Sequence, residues 1–218
     1  GLCLLCVLIY FPSRPKNAPS VSASSDRTEY WKGFSKLFRN SQFWFLASAY
    51  GLMTGVYSGW GAFLAPNLSK VTNSAHAQVL SANLGFGATV AGCISGIGVG
   101  FVSDWLGGKM KPILLTLSVL SAICYLLFQM AVMHDWSETV LYITAIVGGF
   151  FLNGTIPLFY EAAVEITYPV AEGSTTCLVT TMNNVGCLIF LFLPSVKSLS
   201  NNPGWANWSL VAACTLGV

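Results

Sequence analysis

The sequence predicts an all-α protein, a polytopic bundle of transmembrane helices. Three observations predict it: 54% of the residues are hydrophobic, only 8% are charged, and the apolar residues gather into long uncharged runs. Those runs reach roughly 20 residues or more, the length a helix needs to cross about 30 Å of hydrocarbon. A soluble domain carries about 25% charged residues, so a water-facing surface cannot be built from this composition. The mean hydropathy of +0.65 agrees.

Taken in order, the chain opens at Gly1 inside the apolar run GLCLLCVLIY. That run is too short to span and lacks the basic start of a signal peptide, so residues 1–11 are expected to be the end of a transmembrane helix, the sixth of the whole protein. Residues 12–40 read as a central loop rich in serine and proline, with an amphipathic end and the cations Arg14, Lys16, Arg27, Lys32, Lys36 and Arg39. Five complete spans follow, at about 42–65, 78–103, 112–132, 139–165 and 174–196, each long enough to cross with some tilt. A last apolar run begins near Ala206 and holds about a dozen residues, short of a crossing. Residues 41–218 are therefore expected to form a C-terminal bundle that is truncated in its last helix.

Alternating the sides collects eight of the ten Lys and Arg residues on one face of the membrane, leaving Lys70 and Lys197 on the other. The positive-inside rule makes the basic side cytosolic. The sequon Asn67-Leu68-Ser69 then lies on the far side, where a glycan is expected. All seven cysteines fall within apolar runs, where free cysteine behaves as a small hydrophobe, so no disulfide framework is expected. Cys3 and Cys6 have metal-ligand spacing but no second pair, and no metal site or cofactor is expected.

The motifs that bear on mechanism lie in four of the spans. In the second, Ala88, Gly92, Gly96 and Gly100 stand four apart, a small-residue stripe expected to let another helix approach closely. Asp104 continues it into the cytosolic turn. There a carboxylate can accept hydrogen bonds from the N-terminus of a neighbouring helix, near Ser174, and hold the cytosolic side closed. The competing reading is a solvated carboxylate beside lysines. The fourth span carries Asn153, Pro157, Glu161 and Glu165 on one face. Pro157 removes a backbone hydrogen bond. A carboxylate in apolar sequence normally faces a cavity or a partner, and no lysine or arginine lies inside the complete spans, so Glu161 is expected to pair with the other half of the protein, carry a proton or meet a cationic substrate. The plainer alternative is a structural or interfacial glutamate.

The first span sets Tyr50, Tyr57 and Trp60 beside Gly51, Gly55, Gly59 and Gly61, giving ring faces suited to cations or flat rings and room for an approaching group. Core packing or an interface belt would account for the same aromatics. Asn183 and Asn184 in the fifth span are amides that bridge helices or touch substrate. The expected substrate site combines Tyr57, Trp60, Asn184 and Glu161, with Glu161 also the proton-coupling group. Asp104, Gly100, Gly107 and Lys109 are the expected gating set.

The run GFVSDWLGGKMK resembles the loop pattern of the major facilitator superfamily, with Gly100, Asp104, Gly107, Lys109 and Lys111 matching and Trp105 standing where arginine is usual. FPSRP, YGLMTG and NGTIPLFYEAAVEITYPVAEG resemble solute carrier family 49, which includes the feline leukemia virus subgroup C receptor-related transporters of heme and choline. GVYSGW is similar to the disrupted in renal carcinoma protein 2 branch of that family. The resemblance implies a major facilitator fold running from the end of helix 6 to the start of helix 12, whose cavity is completed by the N-terminal half of the same protein. It also implies proton-linked transport of a small organic such as pyridoxine at the lysosomal membrane, the plasma membrane being the alternative. In choline-binding relatives an aromatic on helix 7 and an amide on helix 11 line the pocket; here Tyr57 and Ser58 fall in the first region and Asn184 replaces a glutamine. The expected partners are a cationic or aromatic-nitrogen small molecule and the bilayer, with no nucleic acid. A membrane enzyme is disfavoured because His76 and His134, both in loops, build no catalytic cluster. A non-transporting receptor is the remaining alternative class.

Overall fold

The computed structural model describes residues 30–69, 72–105, 110–195 and 204–217. The described residues form helices α1 (Tyr30–Arg39), α2 (Ser41–Leu68), α3 (Ser74–Trp105), α4 (Met110–Met133), α5 (Glu138–Thr167), α6 (Glu172–Phe192) and α7 (Trp205–Leu216), with one 3-10 turn at Leu193–Ser195. The helix end expected over residues 1–11, the first part of the basic loop, and Gly107 and Lys109 all lie outside the described residues.

The five expected spans are α2 to α6, with ends that agree within four residues. Four of them, α3 to α6, are long and apolar enough to cross a membrane. The exception is α2, whose 28 residues extend about 42 Å at 1.5 Å per residue. Length is sufficient there; mean hydropathy is lowered by Tyr50, Thr54, Tyr57, Ser58 and the interspersed glycines, and most of these turn inward.

The amphipathic end of the basic loop is helix α1. Leu37 is buried while Lys36, Phe38 and Arg39 are exposed, the division between faces that a surface-lying helix requires. Asn40 makes the elbow into α2. Its side-chain oxygen accepts from the amides of Gln42 and Phe43, satisfying donors that the first turn of α2 would leave orphaned, and its amide nitrogen donates to the Ile166 carbonyl at the end of α5.

Small residues set how the bundle packs. A methyl placed on Gly51 or Gly55 would come within 2.6 Å of the Met182 or Asn183 carbonyl oxygen, and one on Gly59 would meet Phe190, so α2 and α6 pack backbone against backbone. On α3 the contact row facing α5 runs Ala88 to Gly149, Gly92 to Asn153, then Ser95 and Val99 to Gly154. Only the first half of the expected stripe, Ala88 and Gly92, lies on this row. A methyl on Gly96 or Gly100 would meet no atom within 4 Å, so both face away from α5. The cause is helical: a four-residue step rotates about 40° past a full turn, so a row held at spacing four drifts off the interface after two steps. Helix α4 closes on α5 where Tyr125 meets Gly148, and α7 seats against α4 and α2. The outward faces of α3 and α6 carry Phe86, Ile94, Ile97, Phe101, Leu188, Ile189 and Phe192, a surface suited to hydrocarbon.

Candidate functional site

Polar side chains inside an apolar bundle must find partners, because nothing else there can bond them. In this bundle they converge between α2, α5 and α6. Helix α2 presents Tyr50, Thr54 and Tyr57 at the spacing of one face. Thr54 is 2% exposed; its hydroxyl donates to the Tyr50 carbonyl at 2.6 Å and accepts from the Asn183 amide of α6 at 2.6 Å. The Tyr50 hydroxyl donates to that of Tyr160 on α5 at 3.4 Å, and Tyr160 shares a 2.7 Å hydrogen bond with Thr180 on α6. Near the middle of the helices, Asn153 of α5 donates both to the Gly149 carbonyl at 2.8 Å and to the Tyr57 hydroxyl at 3.4 Å. The result is a polar band in two layers, with the Tyr50–Tyr160–Thr180 layer nearer the basic end.

Four residues were expected to make the substrate site, and they are not brought together. Tyr57 is half-buried at mid-depth, bonded to Asn153. Asn184 is exposed on α6 at a similar depth, while its neighbour Asn183 is the amide that ties α6 to α2. Glu161 is exposed, eight residues along α5 from Asn153 and so about 12 Å nearer the basic end. It has no hydrogen-bond or ion-pair partner among the described residues.

Trp60 stands apart from the other three. It is 4% exposed, stacked on Tyr57 at 6.2 Å and flanked edge-on by Tyr125 and Phe128, and its indole N–H donates to Asn207 of α7 at 2.7 Å. Asn207 in turn donates to Gln129 of α4 at 2.6 Å, and all three are buried. Trp60 therefore fills the seam of α2, α4 and α7.

Pro157 adds a feature that the side chains do not. Lacking an N–H, it leaves the carbonyl of Asn153 without its intrahelical donor, on the partly exposed face that continues to Glu161. A freed carbonyl at mid-depth is an acceptor suited to a cation.

The remaining expected positions divide. Asp104 and Gly100 are at the basic end of α3, with Asp104 exposed and, among the described residues, no hydrogen bond from it to α6. Asn67 lies in the last turn of α2, 2% exposed, with its amide nitrogen buried and without a hydrogen-bond partner among the described residues.

A helical bundle with its polar band on one flank and apolar faces elsewhere fits more than one kind of membrane protein. The Major Facilitator Superfamily profile matches residues 1–191. The chain belongs to that superfamily. It is a multi-pass integral membrane protein, and the resemblance to solute carrier family 49 is borne out by its relatives. The chain is 38% identical to the solute carrier family 49 member 4 homolog of Xenopus tropicalis, over 97% of its own length and 46% of the relative's. It is 28% identical to the choline/ethanolamine transporter FLVCR2 of Homo sapiens, over 99% and 41% of the two chains, and 28% identical to FLVCR1 of Felis catus, over 100% and 39%. The chain spans less than half the length of these curated relatives, which are named as carriers and transporters rather than enzymes.

Within this facilitator-superfamily segment, sequence reasoning did not single out Thr54, Tyr160 or Thr180. A signal was present in the hydroxyl rows Tyr50–Thr54–Tyr57 and Thr176–Thr180, each confined to one face of its helix.

Proposed function

We propose that this chain supplies the C-terminal half of a secondary-active, proton-driven transporter for a small organic solute that is cationic or built around an aromatic nitrogen, of the pyridoxine type. The observation that carries this reading is the polar band between α2, α5 and α6, where partly exposed Tyr57, Asn153 and Asn184 stand at mid-depth beside a carbonyl freed by Pro157. Carrier sites form at that depth, where helices are interrupted. Tyr57 offers a ring face and a hydroxyl, the Asn153 carbonyl an acceptor for N–H or positive nitrogen, and Asn184 an amide. Glu161, exposed and without a partner among the described residues, is the proton carrier. The relatives named as choline/ethanolamine transporters support a small nitrogenous solute. Because Trp60 is withdrawn into the core, only Tyr57 of that pair faces the solute, which favours a planar ring over a quaternary ammonium that needs an aromatic cage.

In the same proposal residues 1–11 end the N-terminal half, residues 12–40 form the cytosolic linker, and the lysosomal membrane is the site of action. Asp104, with Gly100, Gly107 and Lys109, is the gating set that helps hold the cytosolic side closed.

The test is uptake by the full-length protein in proteoliposomes under an imposed pH gradient, with labelled pyridoxine and choline as the first probes. Gradient-driven uptake is expected, with Glu161→Gln losing its dependence on the gradient at normal protein levels and Tyr57→Ala raising the KM several-fold. Unaltered pH-driven flux in Glu161→Gln removes the proton role from that residue. Absence of flux for a broad panel of cationic and aromatic-nitrogen solutes overturns the substrate class.

A further inference from the structure

The elbow between α1 and α2 is built more firmly than a linker needs. Leu37 is buried, Trp44 donates its indole N–H to the Phe38 carbonyl at 3.3 Å, and Asn40 ties the corner to Ile166 of α5. Phe34, Phe38 and Trp44 form a ladder with ring centroids 5.3 and 5.5 Å apart. Against this corner lies a cleft of about 460 Å³ lined by Phe38, Arg39, Ser41, Trp44, Phe45 and Ser48. That volume is within the range of small-ligand sites.

The two ends of the cleft differ in chemistry. At one end Arg39 is exposed and has no carboxylate partner among the described residues, Lys36 is exposed one turn away, and the Ser41 hydroxyl stands at the positive end of the 28-residue helix α2. At the other end Phe45 is 81% exposed on α2, beside Trp44. An occupant that satisfies both has an oxyanion head and a hydrocarbon tail.

We propose that this corner is a binding site for one anionic glycerophospholipid, its phosphate held by Arg39, Lys36 and Ser41 and the start of an acyl chain laid along Phe38, Trp44 and Phe45. Guanidinium meets phosphate in bidentate fashion, which distinguishes the site from a diffuse basic surface. The charge complementarity selects anionic over zwitterionic lipid, and the fixed elbow makes the selection local to α1. Because α2 carries Tyr50, Thr54 and Tyr57 a few turns further along, the bound lipid fixes the end of the helix that lines the polar band.

The experiment uses the full-length protein in phosphatidylcholine vesicles containing brominated phosphatidylglycerol or, at the same mole fraction, brominated phosphatidylcholine. Tryptophan quenching is read as the difference between parent and Trp44→Phe, which isolates Trp44. The brominated anionic lipid is expected to quench Trp44 with a relative association constant raised about fivefold for each basic residue engaged, equivalent to about 1 kcal/mol apiece. Arg39→Gln with Lys36→Gln should bring the two lipids to parity, with the thermal melt of the protein unchanged. Phe45→Ala should weaken both lipids alike. Equal quenching by the two lipids in the parent overturns the proposal, as does a preference that survives Arg39→Gln with Lys36→Gln. Loss of the preference on adding millimolar inorganic phosphate would identify a free-anion site and equally overturn the lipid assignment.

Discussion

Gly55→Ala tests the contact on which the arrangement of α2 and α6 depends. A methyl at this position would lie 2.6 Å from the Asn183 carbonyl oxygen, 2.9 Å from the Cys187 nitrogen and 3.0 Å from the Gly186 carbonyl carbon, all backbone atoms that cannot rotate away. Ordinary contact begins near 3.4 Å, so the helices must part by roughly 0.8 Å. Overpacking of this kind costs about 1 to 3 kcal/mol. Separation also stretches the 2.6 Å bond from Asn183 to buried Thr54, whose loss costs about 1 kcal/mol or more. Against these stands the gain in helix propensity of alanine over glycine, about 1 kcal/mol. The net expectation is a destabilisation of about 2 kcal/mol, read as a lowered midpoint in thermal unfolding of the purified full-length protein in detergent. Gly61→Ala is the internal control, since nothing lies within 4 Å of its methyl position. If Gly55→Ala is as stable as Gly61→Ala, α2 and α6 are not packed in this way and the polar band loses its frame.

Two other outcomes follow from the buried positions of Trp60 and Asn67. Trp60→Phe removes the donor to Asn207 and should lower stability by about 1 to 3 kcal/mol while leaving solute affinity near that of the parent; combined with Asn207→Leu it should cost less than the sum of the single changes, measured in a double-mutant cycle. Asn67→Gln should leave electrophoretic mobility unchanged before and after deglycosylation, because the amide is buried in a helical turn; a loss of mass in the variant would show that this turn is unwound when sugar is transferred.

The spans were legible because each is a long apolar run, and no packing detail is needed to place an uncharged helix in hydrocarbon. The helix α1 was legible as an amphipathic end because its cations alternate with apolar residues, one of which, Leu37, is buried. What the sequence did not disclose is rotation. Tyr57 and Trp60 are three residues apart and so about 60° apart around α2, enough to leave one half-exposed in the polar band and to press the other into the seam with α4 and α7. Gly92 packs against Asn153 while Gly96 meets nothing among the described residues, although both belong to one row at spacing four. Asn207 illustrates a further limit. A lone amide near the start of the last apolar run carries no sign that it accepts from one helix and donates to another; only the three-helix seam reveals it.

The separation of Glu161 from the Tyr57 level bears on how coupling would work under the proposed function. At about 12 Å along α5, a protonated Glu161 cannot bond the same solute atom that Tyr57 contacts. Proton and solute then act at different levels under this proposal, and coupling passes through the protein between them. The Tyr50–Tyr160–Thr180 layer lies at the depth of Glu161 and joins all three helices of the band by hydroxyl hydrogen bonds. Tyr160 is adjacent to Glu161 in the chain, so a change of charge at the carboxylate acts first on the α5 to α6 link. Such hydroxyl links are individually weak, about 1 kcal/mol each, which is the scale a cycle needs if proton binding is to break and remake them without unfolding the glycine-packed seam between α2 and α6. Tyr160→Phe separates the two routes: it removes the link while leaving the carboxylate and the Tyr57 level in place. Uptake that persists but no longer follows the pH gradient is the expected result, whereas full gradient dependence without the Tyr160 hydroxyl would show that the coupling does not run through this layer.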